Sequence, residues 1–238
     1  MPADASRDEV QSPCTPATRG RTRDDSVTFA RGDDGGPVIR LGCDADAAAA
    51  GQLHAEQIRG GFLAFLGSGF LTRLYRRICR SSSSFLLVAD DGGRVVGFVA
   101  GSIDVPGLYR AFILRDGLAS AFDAIGPLLR GWRRAFETLR HGSSDGAGTG
   151  RGVELLAIAV DLSHQGRGIG EELVAAFLRQ VAASHAHAAY VVVAADNVRA
   201  VGLYRRAGFV GGDEFELHAG TTSLLMQWDE KPSDEDAT

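Results

Sequence analysis

One stretch limits what this chain can fold into more than any other: Leu155-Leu-Ala-Ile-Ala-Val-Asp-Leu-Ser-His-Gln-Gly-Arg-Gly-Ile-Gly-Glu-Glu-Leu-Val174. An apolar run is followed by a short turn, then by the glycine-rich Gln165-Gly-Arg-Gly-Ile-Gly170, then by an amphipathic helix pattern. That order makes an anion site. The strand aims the chain, and the glycines let backbone approach a ligand closely. The helix start offers unpaired N–H groups and the positive end of its dipole. A second patterned stretch, Asn197-Val-Arg-Ala-Val-Gly-Leu-Tyr-Arg-Arg-Ala-Gly-Phe209, follows the next strand pattern.

Composition closes off several other chemistries. Lys231 is the one lysine among 25 basic residues. A phosphate-binding P-loop requires a lysine after its glycines, and none stands there. A Schiff-base enzyme requires a buried lysine, whereas Lys231 lies in an acidic tail. The net charge of −5 is concentrated in the two ends, and the stretch between them is close to neutral. No broad field therefore favours nucleic acid or a membrane surface as a partner. Cys14, Cys43 and Cys79 are odd in number and far apart, so no metal spacing or disulfide framework is expected. The six histidines form no ligand cluster. No apolar run is long enough to span a bilayer and no signal peptide is evident, so a cytoplasmic location is the expectation.

Along the chain, residues 1–36 read as a disordered tail rich in Asp, Arg, Ser, Thr, Pro and Gly, and 229–238 as an acidic tail. Between them, Val38–Leu41 reads as a strand, and Asp44 or Asp46 caps a helix running to about Arg59, broken by Gly60-Gly61. Phe70, Leu71, Leu74, Tyr75 and Ile78 fall at helical spacing, with Arg73, Arg76, Arg77 and Arg80 on the other face. Phe85–Ala89 and Arg94–Ser102 are strands joined by Asp90-Asp-Gly-Gly93, a hairpin signal. Residues 106–150 hold two helical patterns, Tyr109–Phe122 and Pro127–Arg140, and a glycine-rich loop, Gly142–Gly152. Val153–Val160 is a strand, Glu171–Ser184 a helix and Tyr190–Ala195 a strand. Val198–Arg206 is a helix ended by Gly208, and Phe215–Leu217 and Ser223–Trp228 are the last strands. Hairpins and crossovers together predict an α/β architecture with a mixed, mostly antiparallel sheet and helices on both faces.

The two patterned stretches resemble the acyl-CoA-binding motifs of the GNAT N-acetyltransferase superfamily. Gln165, Arg167, Gly168 and Gly170 match its Gln/Arg-x-x-Gly-x-Gly/Ala turn, and Asn197 to Phe209 its second motif. The motifs cover 153–210, and the element order from 37 to 228 is GNAT-like. The usual short link between the third and fourth strands is replaced by the helical insertion 106–150, as in some bacterial members. The resemblance implies an acetyl-CoA-dependent acyltransferase of the EC 2.3.1 class. It implies direct transfer to a primary amine on a small molecule or peptide, and no metal.

It also implies roles for individual residues. Backbone amides of Gln165, Gly166, Arg167, Gly168, Ile169 and Gly170 would hold the pyrophosphate. Ala159 and Val160 would pair with the pantetheine arm, and an amide of Ile158–Val160 would polarise the thioester carbonyl. Asn197 would bond the pantetheine arm or support the parting of the strands, and Ala200 and Leu203 would line the channel. Tyr204 would protonate the departing thiolate. Its alternative is a packed core tyrosine. Glu154, on the strand before the turn, would deprotonate the amine. Its alternative is an edge glutamate in solvent. His54 could touch the acceptor or serve only at a half-buried position. His164 is expected to face solvent. The insertion's apolar positions, Phe112, Leu118, Phe122, Leu128, Leu129, Trp132 and Phe136, must bury a face, either at the acceptor cleft or in a homodimer. Two rival readings remain: an acyl-CoA-sensing module without turnover, and an interaction protein built on the insertion and tails.

Overall fold

The computed structural model of the chain describes residues 28–30, 36–58, 63, 66–116, 152–184, 186–218 and 221–230. Strands β1 (Thr28–Ala30) and β2 (Val38–Leu41) precede helices α1 (Ala47–Gln57) and α2 (Gly67–Arg80). A hairpin of β3 (Ser84–Asp91) and β4 (Arg94–Ser102) leads into helix α3, described over 105–116. Strand β5 (Gly152–Val160) is followed by helix α4 (Ile169–Ala183), strand β6 (Ala188–Ala194) and helix α5 (Val198–Arg206). The hairpin β7 (Val210–His218) and β8 (Thr221–Asp229) ends the described chain. The insertion pattern at 127–140 and its glycine-rich loop up to 151 lie outside the described residues.

One eight-stranded sheet runs in the order β1-β2-β3-β4-β5-β6-β8-β7. The β5–β6 pair is parallel and every other neighbouring pair is antiparallel. This is the mixed sheet that the alternation of hairpins and crossovers predicts. Thr28–Ala30 lies inside the segment expected to be a disordered tail, yet it pairs with β2. A three-residue strand is too short to show a period, and the outer edge of β2 supplies its backbone partners. The last two strands are likewise longer than expected, because each completes the other's ladder.

Two apolar layers lie on the sheet's two faces. On one, α4 buries Leu173, Val174, Phe177 and Val181 against Leu87, Val99, Val153 and Leu155, with Val201 and Tyr204 of α5 alongside. On the other, α1, α2 and α3 pack Leu53, Leu71, Leu74, Ile78, Leu108 and Phe112 over Leu86, Val88, Phe98 and Ala100. Burying each such side chain stabilises the fold by about 1.5–3 kcal/mol. α2 is amphipathic as its sequence spacing predicts, and its Arg77 reaches across to Asp116 at 2.6 Å, tying α2 to α3. The β3–β4 turn places Gly92 and Gly93 at φ 60° and 92°, the left-handed pair that a two-residue hairpin turn requires.

The spread of the cysteines gave no sign of a disulfide, yet Cys43 is disulfide-bonded. Cys79 is a free thiol whose burial pushes its pKa up to about 12, which makes it unreactive.

Candidate active site

The site begins where β5 and β6 part. They pair at only three positions, Gly152 with Ala188, Val153 with Ala189 and Glu154 with Tyr190. Beyond that vertex β5 continues against β4 as far as Val160 opposite Gly97, while β6 continues against β8 as far as Ala194 opposite Ser223. A wedge opens between the backbones of 155–160 and 191–194. An extended amide chain can add there as a strand, bonding to Ile158, Ala159 or Val160.

At the mouth of the wedge the glycine turn is held by polar ties. Gln165 donates from Nε2 to the Val160 carbonyl at 2.9 Å and accepts from Arg199 of α5 at 2.6 Å. Asp161 accepts from the Ser163 amide at 2.9 Å and pairs with Arg94 at 3.0 Å. Its pKa is lowered chiefly by the Ser163 hydroxyl and amide. Gly166 and Gly168 sit at φ 77° and 83°, and a Cβ on either would meet nothing within 4 Å. The backbone there is bare and strained for any other residue, as a surface that receives a phosphate must be. Gly168 caps α4, so the helix opens at Ile169, two residues earlier than its apolar pattern suggests. The N–H groups of Ile169 and Gly170 precede the first helical acceptor and point outward. Arg206 of α5 pairs with Glu171 at 2.9 Å, and Leu203 lies 3.7 Å from where a Cβ on Gly170 would stand. α5 is thereby locked to the start of α4. Asn197 caps α5, accepting from the Ala200 amide at 3.1 Å, so its oxygen serves the helix rather than the wedge.

On the opposite face, below the vertex, a cavity of about 140 Å³ is lined by His54, Tyr75, Tyr109 and Glu154, with an apolar remainder. A bulge shapes it. Gly101 pairs with Leu155 and Ala100 with Ala157, leaving Leu156 without a ladder partner. Leu156 and Ala157, adjacent in sequence, therefore both line the cavity beside Glu154. Glu154 is not an edge carboxylate in solvent. Burial raises its pKa, against the hydrogen bond it accepts from the Tyr190 hydroxyl at 3.2 Å. Tyr109 of α3 has its pKa pushed up to about 12, by burial first and by the charge of Glu154 second. His54 is 4% exposed, stacks on Phe98 and shares a 2.7 Å hydrogen bond with the Tyr75 hydroxyl; burial lowers its pKa to about 4.

Tyr204 is not among the residues lining this cavity. It is 3% exposed, packs at a tilt on Phe209 with 5.6 Å between ring centroids, and is pushed well above the usual phenol range by burial. Ala200 and Leu203 are partly buried beside it. Arg167 is exposed on the turn. His164 does not face solvent: its ring is 13% exposed, between Asp91 at 3.4 Å and Asp161 at 3.6 Å. The sequence offered no sign of Tyr75 or Tyr109 at the site. The one usable signal was Tyr190 as the first polar tip in a β-branched strand, and its register opposite Glu154 comes from the parallel pairing alone. Among the described residues no group of three or more His, Cys, Asp or Glu could hold a metal ion, and no helix is long and apolar enough to cross a membrane.

The wedge, the glycine turn at a helix start and the half-buried carboxylate fit an acyl-CoA-binding acyltransferase fold. The chain belongs to the acetyltransferase (GNAT) family, whose model matches residues 55–209. Among solved structures it is similar to yncA of Salmonella typhimurium, solved with its cofactor acetyl-CoA, at 16% identity and TM-score 0.54, covering 82% of this chain and 95% of that one. It is similar to the ribosomal-protein-alanine N-acetyltransferase of Brucella melitensis, at 18% identity and TM-score 0.53, covering 80% and 98%. Ard1 of Thermoplasma volcanium aligns at 17% identity and TM-score 0.52, covering 81% and 97%. At such identities these likenesses speak for the fold. No curated protein matches the chain.

Proposed function

We propose that this protein is an acetyl-CoA-dependent N-acetyltransferase that moves the acetyl group directly to a primary amine in a ternary complex. The observation that carries this reading is Glu154, half-buried at the vertex where β5 and β6 part, with a cavity on one side and the open wedge leading to the glycine turn on the other. The amides of Gln165 to Gly170 bind the pyrophosphate, and Ala159 and Val160 pair with the pantetheine arm. An amide of the Ile158–Val160 segment polarises the thioester carbonyl. Glu154 takes a proton from the amine, whose nitrogen then attacks the carbonyl carbon. The new C–N bond forms and the C–S bond breaks. Tyr204 gives its phenol proton to the leaving sulfur, and the second proton lost by nitrogen restores the phenol. Burial of Tyr204 keeps it in the donating form, and burial of Glu154 makes it a better base than a solvated carboxylate. Positioning and fixed backbone dipoles supply most of the acceleration.

The test is free-thiol release from acetyl-CoA over a panel of amines, with donor affinity measured by calorimetry on the same protein. Amine-dependent thiol release with micromolar or tighter donor binding is expected. Donor binding without amine-dependent release would make the chain an acyl-CoA-sensing module instead.

A further inference from the structure

We propose that the cavity beside Glu154 is a pocket for a small primary monoamine with an apolar body, alkyl or arylalkyl, and that helix α3 of the insertion forms its outer wall. This rests on the amine-acetylation reading and names the acceptor class for it. Size sets the first limit. About 140 Å³ is close to the roughly 150 Å³ apolar cavity that takes up a benzene ring, and is far smaller than a pocket for a folded peptide segment. Lining sets the second. Leu74, Ile78, Val105, Leu108, Leu156 and Ala157 line it with apolar side chains. Such a surface favours an apolar body, with His54 and the Tyr75 and Tyr109 side chains as its polar exceptions beside Glu154.

Charge sets the third limit. Among the described residues lining the cavity, Glu154 is the one carboxyl, no Lys or Arg stands beside it, and burial holds His54, Tyr75 and Tyr109 toward their neutral forms. A single carboxylate suits a single ammonium. Among the described residues no Lys or Arg lines the cavity to meet the carboxylate of an amino acid, and no second carboxylate to meet the far ammonium of a polyamine. One wall comes from α3, through Val105, Leu108 and Tyr109, and that helix is held to α2 by the Arg77–Asp116 pair. The insertion thus reaches the acceptor side of the sheet, and its first turns set the width of the pocket.

The experiment uses the full chain with 2-phenylethylamine, spermidine, glutamate and an alanine-initiated tetrapeptide as probes. Binding is followed by saturation-transfer NMR and turnover by thiol release. Binding and acetylation of 2-phenylethylamine at least tenfold better than of the other three is expected. Ala157→Leu, which fills the pocket, should weaken that binding by about tenfold or more while acetyl-CoA affinity holds. Leu108→Ala should extend acceptance to a bulkier naphthyl-substituted ethylamine, and serves as the test if Ala157→Leu does not fold. If 2-phenylethylamine binds but is not acetylated, the pocket assignment stands and the acetyltransferase reading falls. If the peptide, glutamate or spermidine is acetylated in preference, the transferase reading stands and this inference is overturned. If 2-phenylethylamine does not bind, or binds equally to both variants, the inference is overturned as well.

Discussion

The donor and acceptor sides of this sheet are built on opposite physical plans. The glycine turn is exposed, polar and open: Gly166 and Gly168 have empty space where side chains would stand, and the ties around them are hydrogen bonds and ion pairs among Gln165, Asp161, Arg94 and Arg199. The cavity below Glu154 is closed in by apolar side chains, and its titratable groups are all shifted toward their neutral forms by burial. One side offers fixed dipoles to a multiply charged ligand that arrives with its own water. In the proposed reaction the other withholds water from the amine nitrogen. A direct transfer requires both, because a phosphate binds best to preorganised N–H groups and an amine is deprotonated best by a desolvated carboxylate. Only the three-residue contact between β5 and β6 separates the two.

The sharpest way to break this comparison is at Glu154. Glu154→Gln keeps the shape and removes the base, so kcat/KM should fall by about 10²–10⁴-fold with donor affinity unchanged. The raised carboxyl pKa means the parent's rate climbs with pH through a value above the ordinary glutamate range, and the loss in the variant should be greatest at low pH, where fewer amines are already neutral. Overlapping pH–rate profiles of variant and parent would assign the proton transfer to water or another group.

Tyr204 comes next. Tyr204→Phe preserves its packing on Phe209 and should lower kcat by about 10–10³-fold with little change in acetyl-CoA affinity. Full turnover in that variant would make it the packed tyrosine of the alternative reading.

Gly168→Glu tests the donor side. It places a side chain and a negative charge at the proposed phosphate site, and calorimetry should show acetyl-CoA affinity reduced by about tenfold or more in a folded protein. Gly168→Ala, which carries only the cost of a left-handed φ of 83°, should lose about 1 kcal/mol of stability and much less affinity. Unchanged affinity in the glutamate variant would remove the phosphate assignment.

The smallest expected effect is a stability change on the acceptor side. His54 is neutral when folded, with its pKa lowered from 6.5 to about 4. The unfolded chain therefore binds a proton that the folded one refuses. Stability from this group is complete above pH 6.5 and is lost as pH falls toward 4, by at most about 3 kcal/mol. Denaturant titrations at pH 7 and pH 4.5 should show a smaller acid loss in His54→Gln than in the parent. Equal losses would mean that other groups carry the acid sensitivity.

How far the sequence reached follows from what each element depends on. The β3–β4 hairpin was legible because Gly92 and Gly93 sit between two apolar runs, and α5 because Gly208 ends it at φ 92°. The start of α4 was misjudged by two residues, since the apolar spacing shows at Leu173 while the cap is a glycine without a side-chain signal. His164 was misjudged for another reason. Its neighbour Asp161 is local, but Asp91 comes from the β3–β4 hairpin, which only sheet pairing brings near.

By itself the sequence determined the glycine turn, the helices that flank it and the mixed sheet, because glycine conformations and side-chain periods are local properties encoded within a few residues. The tertiary structure decided the acceptor side. Glu154 meets Tyr190 through a parallel register, Leu156 and Ala157 share one face through a bulge, and His54, Tyr75 and Tyr109 converge from three helices. None of these depends on spacing along the chain. Each is set by which surfaces must pack together to exclude water, and that is settled only when the whole sheet is covered.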